Sequence, residues 1–166
     1  MLNDNFQLIK YFLIGIIFQV IFFESWSLLG YFNPFFYIIY LLIYRFDKSQ
    51  TKLIFTSFLL GLILDLLTNN PGSNTIACLS VSYVRPFLIS FSYGISGNSI
   101  SSILSKSKIE SRLLFIGLVI LIHHLIYFLI SYFSALAIIN IIKSTIINGV
   151  LSFIVLIISF EFIKKK

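Results

Sequence analysis

The sequence predicts an all-α integral membrane protein, a bundle of about six transmembrane helices in a single domain covering residues 1–166. Three observations predict it. The chain has 166 residues, 58% of them apolar and 11% charged, with a mean hydropathy of +1.01. A soluble domain is about half apolar and roughly a quarter charged, so this chain lacks the polar surface that water requires. The apolar residues also come in continuous runs, as from Leu113 to Ile122. Barrel strands would alternate apolar and polar residues, so the spans are helical. Finally, the basic residues cluster between the runs, as they do in the loops of a multi-pass protein.

The elements follow in chain order. The first apolar stretch covers residues 6–23. It does not read as a signal peptide: its basic flank is Lys10 alone, offset by Asp4, and Glu24-Ser25-Trp26 follows instead of a small-residue cleavage site. The second, residues 34–46, opens on Pro34, which suits the first turn of a helix because its missing N–H is not needed there. This stretch is short and draws on residues from Trp26 onward to cross. The third is residues 53–67, and Thr68-Asn69-Asn70-Pro71-Gly72-Ser73-Asn74 then makes an uncharged turn. The fourth, residues 76–93, is interrupted by Arg85-Pro86, and a Ser-rich loop follows it. The fifth and sixth are residues 113–133 and 141–163.

Charge placement sets the orientation. With six spans, Lys10, the loop with Arg45, Lys48 and Lys52, the loop with Lys106, Lys108 and Arg112, and the tail Lys164-Lys165-Lys166 all fall on one side. The loops around Ser25, Asn70 and Ala135 carry no lysine or arginine. The positive-inside rule places both termini in the cytoplasm, and nucleic acid is not the partner that the net charge of +6 serves. Cys78 is the one cysteine, which excludes an internal disulfide and a cysteine metal cluster.

The polar groups at membrane depth are the candidate functional residues, because a charge there costs about 2.5–3.5 kcal/mol on insertion scales. Asp65, near the outer end of the third span, is either a buried anchor between helices or a carboxylate reaching the outer headgroups. Arg85, halfway along the fourth span, reads as a buried cation in preference to a snorkelling one, and Pro86 frees a backbone carbonyl one turn earlier. His123 and His124 are adjacent, so their side chains diverge by about 100°. That favours hydrogen bonds between helices over a metal site. Asn148 and Gly149 in the sixth span, and Gly61 in the third, suit close helix contact. Lys143 snorkels outward. The expected polar cluster is Gly61, Asp65, Gly72, Arg85, His123, Asn148 and Gly149, with the Arg85 stem reaching toward Asp65 and Asn148 or a water between them. No nucleophile–base–orienter set, phosphate loop, cofactor motif or metal spacing is legible.

The arrangement resembles the rod shape-determining MreD family along nearly the whole chain. The resemblance is carried by Asn33-Pro34 at the second span and the basic loop after it. It continues in Gly61-x-x-x-Asp65-Leu66, the turn at Gly72, and Asn148-Gly149-Val150 before a basic tail. Arg85-Pro86 lies outside that pattern. The resemblance implies a non-catalytic subunit of the bacterial cell-elongation machinery in the inner membrane, regulating cell shape and lateral peptidoglycan synthesis. MreC, RodA, a penicillin-binding transpeptidase and the actin-like MreB would be its partners. It also implies a fold like the S components of energy-coupling-factor transporters. The alternative is an S-component-like subunit that binds a vitamin. Its site would need several polar or aromatic groups converging from the outside, and the short, bare outer loops favour the first reading.

Overall fold

The computed structural model describes residues 2–24, 33–44, 49–94 and 108–164. Among these residues there is no strand. Helix α1, Leu2–Phe18, continues as a π-helical turn, Gln19–Glu24. Then come α2, Ile38–Ile43; α3, Gln50–Thr68; α4, Ser73–Tyr93; α5, Ile109–Tyr132; and α6, Ile138–Lys164. Five helical stretches are long and apolar enough to cross a membrane: Phe6–Phe23, Gln50–Thr68, Ser73–Tyr93, Ile109–Tyr132 and Ile138–Phe160. The protein is an all-α, multi-pass membrane bundle.

Most helices start about one turn before their apolar runs, because the first turn of a helix tolerates polar residues. The third span gains Gln50, Thr51 and Lys52, and the fifth gains Glu110, Ser111 and Arg112. The second span departs most from expectation. Asn33, Pro34 and Phe35 are not helical, α2 has only six residues, and Phe46 lies outside the described residues. Three side chains supply the acceptors that a helix would otherwise provide. Asn33 N–H donates to Asn148 Oδ1 at 2.7 Å, Phe35 N–H to Ser152 Oγ at 2.8 Å, and Phe36 N–H to Gln19 Oε1 at 2.8 Å. Unwound backbone at membrane depth survives only when protein satisfies it in this way.

This interrupted segment is the core of the bundle, since every residue from Phe35 to Leu42 is buried. It runs antiparallel to both neighbours. Gln19, Gly15 and Phe12 of α1 face Asn33, Tyr37 and Tyr40 in turn. Tyr40 and Tyr44 reach Thr56 and Ser49 at the start of α3. Hence α1 and α3 point the same way, with the segment returning between them. From α3 onward each helix reverses its predecessor, as the contacts Gly61–Thr75, Ser73–Ser131 and His124–Ser152 show. The start of α1 and the end of α6 therefore lie at the same end of the bundle. The basic loop residues Arg45 and Lys48 and residues 96–107 of the Ser-rich loop lie outside the described residues, and the end of that loop, residues 109–111, is the first turn of α5.

Helix α4 passes through Arg85-Pro86 unbroken. Proline cannot donate to the carbonyl four residues earlier, that of Ser82. Gln50 fills the gap: its Nε2 donates to Ser82 O at 2.6 Å. Gln50→Leu is expected to cost about 1–2 kcal/mol. In a Pro86→Ala background, where the helix regains its own N–H, the same change should cost little. Thermal unfolding of the four proteins in lipid nanodiscs measures that coupling.

Candidate functional site

The α3–α4 turn positions the first charged group. Asn69 ends α3 in the left-handed conformation with φ of 53°, and Gly72 precedes α4 with φ of 95°, a conformation that favours glycine. Gly72 has no side chain to cap α4, whose first N–H groups lack intrahelical partners. Asp65 does so from across the turn. Its Oδ1 accepts Asn74 N–H at 3.0 Å and Asn74 Nδ2 at 2.9 Å. Its Oδ2 accepts Thr75 N–H at 2.8 Å and Thr75 Oγ1 at 2.6 Å. An anion at the positive end of a helix is also favoured by the helix dipole. Asp65 is thus a buried anchor, 5% exposed, and not a carboxylate reaching the headgroups.

Asn74 carries the network inward. Because its Nδ2 faces the carboxylate, its Oδ1 faces Tyr37, whose hydroxyl donates to it at 2.5 Å. The Tyr37 oxygen is then the acceptor for His123 Nε2 at 3.0 Å. One directed chain therefore joins α3, α4, α2 and α5: Asp65, Asn74, Tyr37, His123. His124 begins a second chain. Its Nδ1 meets the Ile120 carbonyl at 2.9 Å, and a carbonyl only accepts, so Nδ1 carries the proton. His124 Nε2 then accepts from Ser152 Oγ at 3.0 Å, and Ser152 in turn accepts Phe35 N–H. Asn148 lies one turn from Ser152, its Oδ1 on Asn33 N–H and its Nδ2 on Ser144 O at 3.0 Å. The two histidines are expected to be opposite neutral tautomers, Nε2–H at His123 and Nδ1–H at His124. Nitrogen-15 NMR of the imidazole rings reads this directly, and matching tautomers would contradict the assignment.

Arg85 solves a different problem. It is 2% exposed and donates through Nη2 to the carbonyls of Leu42, at 3.3 Å, and Tyr44. Those carbonyls belong to the C-terminal end of α2, where orphan acceptors and the dipole favour a cation. The guanidinium also lies 5.8 Å from the centre of the Phe115 ring. The expected approach of Arg85 to Asp65 does not occur. Asp65 holds the first turn of α4, and Arg85 is about 16 Å further along that helix at ~1.5 Å per residue. Each charge serves the nearest broken helix end instead.

The remaining expected members divide. Gly61 belongs to the cluster: a Cβ there would sit 2.4 Å from Thr75 Cα, so only glycine lets α3 approach the capped turn. Gly149 packs on Ile120 with room for a Cβ, its nearest atom being 3.7 Å away. Lys143 is exposed on α6, as expected. Sequence reasoning missed Gln19, Gln50, Tyr37, Asn74, Thr75 and Ser152. Their partners lie 9 to 117 residues away in sequence, beyond any local pattern.

The chemistry open to this site is narrow. Asn74 is an amide, which does not relay a proton between Tyr37 and Asp65 as a hydroxyl or carboxyl would. Ser152, His124 and the Ile120 carbonyl stand in the order of nucleophile, base and orienter. Yet Ser152 is fully buried, its oxygen already accepts Phe35 N–H, and the Phe35 ring stacks on His124 at 4.8 Å. Among the described residues no three His, Cys, Asp or Glu side chains are grouped to hold a metal. The fold and site define a multi-pass helical membrane protein whose deep polar side chains secure its own interrupted backbone. Comparison with protein-family models, with curated proteins and with solved structures finds no match for this chain.

Proposed function

We propose that the chain is a non-catalytic membrane subunit of a bacterial cell-elongation complex, of the MreD type, and acts through protein partners. MreC is the expected direct partner, with RodA, the penicillin-binding transpeptidase and MreB as further members of the complex. In this reading the chain lies in the inner membrane with both termini in the cytoplasm, and it regulates lateral peptidoglycan synthesis. One observation supports it above others. Four of the residues that carry the family resemblance, Gly61, Asp65, Gly72 and Asn148, are engaged in holding the fold, while Leu66 and Val150 are exposed. A residue set kept for architecture suits a scaffold.

Deleting the protein in its native cell is expected to round the cells and scatter wall synthesis. The purified chain is expected to leave lipid and peptidoglycan precursors unchanged, and Ser152 to stay unlabelled by a fluorophosphonate probe. Turnover of a precursor, or labelling at Ser152, would overturn the non-catalytic reading.

A further inference from the structure

Helix α2 begins one turn late. Asn33-Pro34 has the chemistry of a helix start, with asparagine as cap and proline in the first turn. Yet the cap position falls at Tyr37, whose φ of −61° and ψ of −17° are already helical and whose side chain makes no capping bond. The next turn is already wound: Ile39 N–H bonds to Phe36 O at 3.0 Å and Tyr40 N–H to Tyr37 O at 3.1 Å. Only Asn33, Pro34 and Phe35 stand outside the helix that their sequence favours. Such a conflict between local preference and observed structure marks strained or functional segments.

Both conformations satisfy the N–H groups of Phe35 and Phe36, while the half-buried Asn33 N–H, now held by Asn148, is released when α2 lengthens. As observed, Phe35 N–H and Phe36 N–H are held by Ser152 and Gln19. In a helix starting at Pro34, those two groups occupy the second and third positions, which the Asn33 side chain would cap. Pro34 has no N–H to lose in either state. We propose that residues 33–35 are a helix–coil switch: α2 lengthens outward to Pro34, with Asn33 as its cap, and lets go of Gln19, Ser152 and Asn148. Winding two residues shortens the segment, because a helix rises only ~1.5 Å per residue. It withdraws the Phe35 ring from His124 and leaves neutral hydrogen-bonding groups open at the bundle centre. Gln19 also opens the π-helical turn of α1, an irregularity that recurs at functional positions in helices. The switch does not depend on which complex the protein serves.

The test is the carbon-13 chemical shift of the Phe35 Cα in the full chain in nanodiscs, which separates extended from helical backbone. Removing the coil-state acceptors with Gln19→Leu/Ser152→Ala is expected to move the Phe35 shift into the helical range. Adding Asn33→Ala, which deletes the cap, should move it back. Unchanged Val119 and Leu60 shifts show that the bundle is intact. Ser152→Ala alone, which deletes one hydroxyl, should move Phe35 part of the way, so the idea stays testable if the double variant does not fold. A Phe35 shift unchanged from wild type in the double variant, or in Ser152→Ala where the double variant does not fold, overturns the switch.

Discussion

Asp65→Ala is expected to destabilise the protein by about 2–6 kcal/mol, the sum for two backbone N–H groups left unsatisfied. The substitution leaves the N–H groups of Asn74 and Thr75 without their acceptor, at about 1–3 kcal/mol for each one left unsatisfied. It also frees the Asn74 side chain, so Tyr37 and His123 lose their fixed orientation. Asp65→Asn should be milder but still harmful. Its single carbonyl can replace one carboxylate oxygen, while its NH2 would face donors at the other. Membrane abundance and thermal unfolding in nanodiscs measure the order, wild type above Asn above Ala. An Asp65→Ala protein as stable as wild type would contradict the capping role.

Gly61→Ala is expected to cost about 3 kcal/mol, the upper end for overpacking a filled interior. In an ordinary helix this change is favourable by roughly 1 kcal/mol, so the sign depends on the clash alone. The clash is with backbone: the new carbon would lie 2.4 Å from Thr75 Cα and 2.7 Å from Thr75 N. Neither atom can rotate away, so α3 and α4 must part. Parting them lengthens the bonds from Asp65 to the first turn of α4. The Gly61→Ala/Asp65→Ala double variant should therefore fall well short of the summed single costs, because both changes break one contact. Additive losses in a double-mutant cycle would mean that the glycine and the carboxylate act separately.

How much could be read from the sequence follows from the range of each interaction. The long helices are legible because lipid imposes a continuous apolar run on each. The one-sided lysines and arginines predict an even count of passes; five helical stretches are long and apolar enough to cross, and the short segment around α2 returns between the parallel α1 and α3. The cluster is only half legible. Asp65 and Arg85 stand out as unlike charges at depth, and pairing them is the natural inference. It fails because a membrane interior also holds broken helix ends, whose backbone groups attract charge as well. Gly72 was the available clue: a glycine at a helix start leaves the cap to another residue, and Asp65 stands just across the loop, near the end of α3. Arg85 gave no such clue, since the end of α2 could not be placed without knowing that residues 33–35 stay unwound. Gln50 and Pro86 are likewise a pair joined only in space.

The central claim is that the chain from Asp65 through Asn74 and Tyr37 to His123 serves architecture, and that the folded bundle acts through a partner. The most direct measurement is co-purification of MreC, the proposed partner, per folded molecule, across wild type, Gly61→Ala, Asp65→Ala, Asp65→Asn and Tyr37→Phe. Each variant is counted after size-exclusion in nanodiscs. The claim predicts that the variants differ in the amount of folded protein while the folded fraction of each captures MreC as wild type does. A variant that folds to wild-type yield and stability yet captures none would place the polar chain in the recognition event itself and contradict the claim.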